Sequence, residues 1–212
     1  MDNLHKAFRI VFEMSTSSKS ISSIQMGKRF DLRQGTAWYF MQKVRKSMKS
    51  SEKHPLASLV HVDEEKKAVI AVELTTDKKI KRAYVKSFED YSSKSLAKIF
   101  DTHISEHTAV VTDKWRGYEP LKKIYNIEQK LSNNGANFNE LHIVIIQLKS
   151  WIRTIPTHIS KFHIQSYFDE FCYRINRSQA KHSIFHKTIE RMVIHKPIIY
   201  HKKYKTDNKC IA

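Results

Sequence analysis

Cysteine is nearly absent: the 212-residue chain has two, Cys172 and Cys210. Two thiols cannot build a disulfide framework or a four-cysteine zinc site, and their scarcity favours a reducing, intracellular compartment. Cys172 sits in an apolar stretch and is expected in a core. Glycine and proline are also scarce, four of each, which excludes a collagenous or linker-rich chain. No apolar run approaches the roughly 18 residues of a membrane span. The opening MDNLHKAFRIVFEM lacks the apolar run and cleavage site of a signal peptide. Acidic residues are in deficit, 21 against 38 basic ones, for a net charge of +17.

What is present is a foldable chain. Hydrophobic residues make up 41 % and aromatics 11 %, too many for a disordered protein. The length allows one sizeable core with a small accessory domain. The positive charge is concentrated at the ends. Residues 1–58 hold 11 basic and 4 acidic side chains, residues 59–180 hold 19 and 15, and residues 181–212 hold 8 and 2. Basic ends on a nearly balanced middle predict a polyanionic partner, most simply nucleic acid.

The patterning divides the chain the same way. Residues 3–14 predict a short amphipathic helix, followed by the polar connector STSSKS, whose last serine can cap a second helix running to about Phe30. Asp31 with Gln34 three residues on looks like a capping box for a third. That helix, roughly 34–49, puts Ala37, Met41, Val44 and Met48 on one face. Its other faces carry Gln34, Thr36, Lys43, Arg45 and Lys46. Two short helices with a tight junction describe a helix-turn-helix over residues 1–50. Gln34 and Thr36 would then face base edges, and the basic residues phosphates.

KSSEKHP, Lys49 to Pro55, reads as a linker, bounded at 51–58 between the two domains, and precedes a change of period. Strands are predicted at 59–63, 68–74 and 80–85, with a four-residue connection between the first two and a turn at Asp77-Lys78-Lys79. A helix over 91–105 and a strand at 108–112 follow. Residues 120–136 read as irregular. Helices are predicted at about 138–154 and 160–177, and the basic tail, 181–212, has helical potential to about His195. Three antiparallel strands, a crossover helix and a parallel strand are the order of an RNase H-like fold over 59–180. The fold class is thus α/β: a mixed sheet with flanking helices, preceded by a small helical region.

In a sheet of order 3-2-1-4, the ends of strands one and four face one crevice. Asp63 ends the first and Asp113, 50 residues later, ends the fourth. Paired carboxylates there suit a two-metal phosphoryl-transfer site holding Mg²⁺ or Mn²⁺. A third ligand would come from the 138–154 helix, which offers Glu140 and His142. His142 and Lys149 are two turns apart, on a stripe with Ile146 and Arg153, so His142 is the better placed of the two. Either Asp could instead be an ordinary turn residue, and His142 an ordinary surface residue.

The segments GTAWYFMQKVRKSMKSSEKHPL, VHVDE, VTDKWRGYEPLKK, ELHIVIIQLKSWIR and YFDEFCYRINR resemble the insertion-sequence transposases of the IS1595 family, with its ISXO2-like transposase domain, over about residues 18–196. The resemblance implies catalysis of the DD(E/N/H) type with a trailing lysine. Carried onto this chain, the catalytic set is Asp63, Asp113, His142 and Lys149, the first three holding Mg²⁺ or Mn²⁺. Lys114, Arg116, Lys149 and Arg153 join the α-helical lysines and arginines as expected DNA contacts. The implied partners are double-stranded DNA, at element ends and target, and further copies of the chain. The implied location is cytoplasmic, with the nucleoid and no membrane. Two departures stand out. Members usually begin with a Cys-rich zinc ribbon, and they usually carry a Gly- and Lys/Arg-rich segment after VDE. Here VDEE runs straight into KKAVIAVEL. The alternative expectation is therefore a shortened, catalytically inactive DNA-binding relic.

Overall fold

The computed structural model describes residues 3–17, 19–50, 53–65, 68–88, 92–155 and 159–195. Its centre is a five-stranded sheet: β1 (Leu59–Glu65), β2 (Ala68–Leu74), β3 (Ile80–Ser87), β4 (Ala109–Thr112) and β5 (Asn126–Gln129), in the order β3-β2-β1-β4-β5. β1 and β3 flank β2 antiparallel, whereas β4 runs parallel to β1 and β5 parallel to β4. The expected order 3-2-1-4 is present and extended by one strand. That strand, β5, lies where the sequence reads as irregular. NIEQ is only four residues long, with no buried position to give it an apolar pattern, so its pairing with β4 defines it. The β1–β2 connection is shorter than expected. Pairing continues to Glu65↔Ala68, so only residues 66–67 intervene, and these lie outside the described residues.

Every residue of β2 is buried, because helices cover both sheet faces. On one face Ile70, Val72, Val85 and Val111 pack with Leu141, Val144, Ile145 and Leu148 of α5 (Asn139–Arg153) and with Phe168, Phe171 and Cys172 of α6 (Ile164–Ile175). On the other, Val60, Val62, Val69 and Ala71 pack with Leu96, Ile99 and Phe100 of α4 (Ser93–His103), the β3-to-β4 crossover. Burying each of these side chains contributes roughly 1.5–3 kcal/mol.

The remaining helices form a third core. α1 (Asn3–Thr16), α2 (Ser23–Phe30) and α3 (Gln34–Ser47) precede the sheet. Ala37, Met41, Val44 and Met48 are all buried in it, as their spacing predicts. Two capping expectations change. The cap of α2 is Ser22, in a reciprocal box with Gln25, and not Ser20. Asp31 does not start α3. It ends α2 in the left-handed conformation (φ 51°), and α3 begins after Arg33 with no side-chain cap. The three-residue junction is tight: a Cβ on Gly27 would come within 2.8 Å of the Leu32 carbonyl oxygen.

The expected C-terminal tail is partly a structural element. α7 (Lys181–Ile194) inserts Ile184 into the α1–α3 core and stacks Phe185 edge-on against Phe12, with centroids 5.6 Å apart. Residues 196–212 lie outside the described residues. The 51–58 linker is likewise held in its described part. Arg82 donates to the His54 and Pro55 carbonyls, and the buried Glu73 accepts from the Ala57 and Ser58 amides.

The YFDEFCYRINR motif joins the two halves. Glu170 accepts from Arg45 at 2.7 Å, and Arg174 donates to the Met14 carbonyl at 2.9 Å. Asn176 accepts from the Ala83 amide at 2.7 Å and donates to its carbonyl at 2.9 Å. Gln165 makes the same kind of bridge to Ser87 and Val85. Those two amides satisfy the free edge of β3, which would otherwise expose a pairing edge.

Candidate active site

β1 and β4 carry the two expected aspartates to the same place. Their parallel register runs Val60↔Val110, His61↔Val111, Val62↔Thr112, and one further step sets Asp63 beside Asp113. Side chains alternate along a strand. Val60, Val62 and Val110 face α4 and Val111 faces α5, so both carboxylates project on the α5 face. This is the switch point of the sheet, where antiparallel pairing gives way to parallel. Both aspartates are partly exposed.

The TDKWRGY turn shapes the Asp113 side. Its Oδ1 accepts from the Trp115 amide at 3.1 Å. Gln129 of β5 donates to the Asp113 and Trp115 carbonyls at 3.0 and 2.9 Å, so the fifth strand braces the turn. Trp115 then folds over Gly117, where a Cβ would lie 2.0 Å from the indole. Trp115 meets the buried Tyr118 edge-on at 5.5 Å. Lys114 and Arg116 are exposed. Lys130, the residue after β5, donates its amide to Thr112 and is ion-paired to Glu128 at 3.2 Å.

α5 begins over β1. Phe138, just before the helix, packs edge-on against His61 at 5.4 Å, two residues short of Asp63. His61 is buried and its Nδ1 has no hydrogen-bond partner among the described residues. Burial holds its pKa below the usual value. The Glu140 charge opposes that shift, and Lys130 and Lys78 add to it. The Glu140 charge at the helix start is thus felt at His61. His142 lies against the 3-10 turn Asn133–Phe138. Its ring lies against Gly135 (φ +88°), where a Cβ would come 2.5 Å from Nε2. Lys149 is partly exposed two turns along, and Arg153 is exposed.

The structure thus aligns Asp63 with Asp113 and sets the first turn of α5 nearby. Among the described residues, no group of three or more His, Cys, Asp or Glu side chains is gathered to hold a metal ion. Two adjacent carboxylates are hard anionic oxygen donors and suit a divalent cation; the third ligand is not drawn in. Sequence reasoning missed Gln129, Gly135, Gly117 and His61. Gly117 had a signal in WRGY, and Gly135 in NNGAN. Gln129 and His61 had none, because their roles depend on pairing between distant strands.

On α3, Gln34, Thr36, Lys43 and Lys46 are exposed. Arg45 overturns its reading as a phosphate contact. It is 1 % exposed, ion-paired with Glu170 and stacked 4.0 Å from the Tyr167 ring. One turn beyond Met41, it lies close to the buried stripe, where α6 supplies its acid.

No helix among the described residues is long and apolar enough to cross a membrane. No curated protein matches the chain. The model of one protein family, the ISXO2-like transposase domain, matches residues 38–176. That span runs from α3 through the sheet to Asn176, taking in both aspartates, the start of α5 and the α6 motif. The match covers more than half of the chain, and the chain belongs to the ISXO2-like transposase family.

Proposed function

We propose that this chain is a DNA transposase that cleaves and joins DNA at the ends of an insertion element. The observation that supports the reading is the parallel register of β1 and β4, which brings Asp63, two residues before the end of β1, level with Asp113, just after β4, on the α5 face. The two carboxylates would hold Mg²⁺ or Mn²⁺, with His142 as third ligand. A bound divalent cation would activate the attacking oxygen and neutralise charge on the leaving one. The protein's own share is positioning. The Asx-type turn and Gln129 fix Asp113, and Phe138 on His61 fixes the α5 start. Lys149, with Lys114, Arg116 and Arg153, would hold backbone phosphates beside the carboxylates.

Duplex DNA would be gripped by α2 and α3 acting as a helix-turn-helix. Gln34 and Thr36 would face bases, and Lys43 and Lys46 phosphates. Copies of the chain would assemble on paired element ends. Glu140 is the alternative third ligand, supported by the reach of its charge to His61. An inactive DNA-binding relic is the rival for the whole chain.

Calorimetric titration with Mn²⁺ separates these. The active reading expects binding in the parent, loss in Asp63→Asn and Asp113→Asn, and retained duplex binding in both. Duplex binding with no Mn²⁺ binding in the parent leaves the relic. His142→Ala and Glu140→Ala, measured the same way, identify the third ligand.

A further inference from the structure

A second strongly basic feature lies away from the carboxylates. It is a cleft of about 370 Å³ at the junction of the sheet and the helical core, lined among others by Lys81 and Arg82 of β3, Tyr173 and Arg177 at the end of α6, and Lys187 and Arg191 of α7. Arg82 is in register with Glu73, and Glu73 with Val60, so the cleft sits at the start of β1, while Asp63 lies three residues further on. Two strands across and three residues along separate the two backbone positions by on the order of 14 Å, and Arg82, in register with Glu73 and Val60, is on the α4 face of the sheet whereas the aspartates project on the α5 face.

The charges in this cleft are not balanced. The buried Glu73 is shared by Lys81 at 3.1 Å and Arg82 at 3.0 Å, two cations on one carboxylate. Arg177 and Arg191 both lie against the Tyr173 ring, their guanidinium carbons 3.9 and 5.1 Å from its centroid. Each is tethered through Nη1 to backbone carbonyls: Arg177 to Tyr173, Arg191 to Ser47 and Lys49. Neither forms an ion pair among the described residues, nor does Lys187. Burial lowers the pKa of Arg177; Tyr173 opposes the shift, and the Arg191 charge adds to it. Holding two guanidiniums together without an acid is unfavourable unless an anion completes the site. Their planar forks, fixed by an aromatic ring, match phosphate oxygens.

We propose that this cleft binds a phosphodiester of the DNA backbone, as a contact separate from the carboxylate site and from α3. The inference rests on the DNA-binding reading above. Five cations from three elements, spread along an open cleft, suit a continuous polyanion better than one small ion. The DEFCYRINR motif then has two jobs: Glu170 and Asn176 lock the fold, and Arg177 faces the cleft.

The test is the salt dependence of binding to a labelled duplex of arbitrary sequence, followed by fluorescence anisotropy. Each lost phosphate contact should reduce the slope of log K against log [salt] by roughly 0.9. Lys187→Gln should lose about one such increment, and Lys187→Gln with Arg191→Gln about two. Lys187 is exposed and makes no hydrogen bond or ion pair among the described residues, so its single variant keeps the test valid if the Arg191 variant misfolds. A parent that binds duplex with cleft variants of unchanged slope overturns the cleft and leaves the DNA reading intact. A parent that binds no duplex overturns both. If inorganic phosphate raises the parent's Tm but not the double variant's, and the slopes agree, the cleft is a small-anion site and the proposal is wrong.

Discussion

Arg45 and Glu170 stand 125 residues apart in the chain and 2.7 Å apart in space, each at most 2 % exposed. The pair ties α3 to α6, and so ties the helical region to the sheet. Removing Glu170 leaves the Arg45 charge buried and unpaired, and removing Arg45 leaves Glu170 only the longer contact with Arg174 at 3.9 Å, each at about 3–5 kcal/mol. We expect Glu170→Gln and Arg45→Met each to cost that much in urea unfolding. Replacing both with apolar residues of similar volume should recover most of the loss. A single-variant cost below about 1 kcal/mol would mean that the pair behaves like a solvated surface bridge.

Gly135 is required where it stands. Its φ is +88°, a conformation that strains any side chain, and a Cβ there would sit 2.5 Å from the His142 ring and displace it. Gly135→Ala is expected to cost about 1–3 kcal/mol in backbone strain and to move the imidazole. The His142 ring resonances should shift, with a lower Tm. Unchanged resonances would mean that the turn does not position His142.

Two buried carboxyls give stability opposite pH dependences. Burial pushes Glu73 up, but its hydrogen bond from Lys81, the Ala57 amide and the Arg82 charge outweigh that and hold it below its usual 4.5. Its stabilisation is present above pH 4.5 and is lost as pH falls through the lower, folded value. Asp169 is raised above its usual 3.8, chiefly by burial, against the opposing hydrogen bond from Gln165. The folded state then binds more protons than the unfolded one, so stability falls as pH rises from 3.8 through the folded value. Thermal melts should find Glu73→Gln less stable than the parent at pH 7, the gap closing in acid. Asp169→Asn should be more stable at pH 7, its advantage vanishing on acidification. Parallel pH profiles for both variants and the parent would refute this.

If His142 is the third ligand, the site is less anionic than one with three carboxylates. Imidazole is a softer donor than carboxylate, which favours Mn²⁺ over Mg²⁺. Cleavage by the parent should then be faster with Mn²⁺, and His142→Glu should move the preference toward Mg²⁺. An unchanged metal preference in His142→Glu would point to Glu140.

The sequence by itself determined the seven α-helices of the described residues and the first four strands. Ala37, Met41, Val44 and Met48 mark α3 because helical spacing alone puts them on one face, and the AVIAV run marks β2 because a strand covered on both faces is apolar on both. It also determined that the strands leading to Asp63 and Asp113 are neighbours, since the order of strands and crossover leaves few topologies, but Asp63 does not end its strand, because pairing with β2 carries β1 on to Glu65. The tertiary structure alone decided what depends on distant partners. β5 has no pattern of its own and exists through its pairing with β4. Arg45 reads as a surface cation until Glu170 arrives from 125 residues away. Gln129, Asn176 and the paired arginines at Tyr173 acquire roles only when strand edges and helix ends meet. Periodicity records which face a residue turns to the core; it carries no record of which residue waits on the other side.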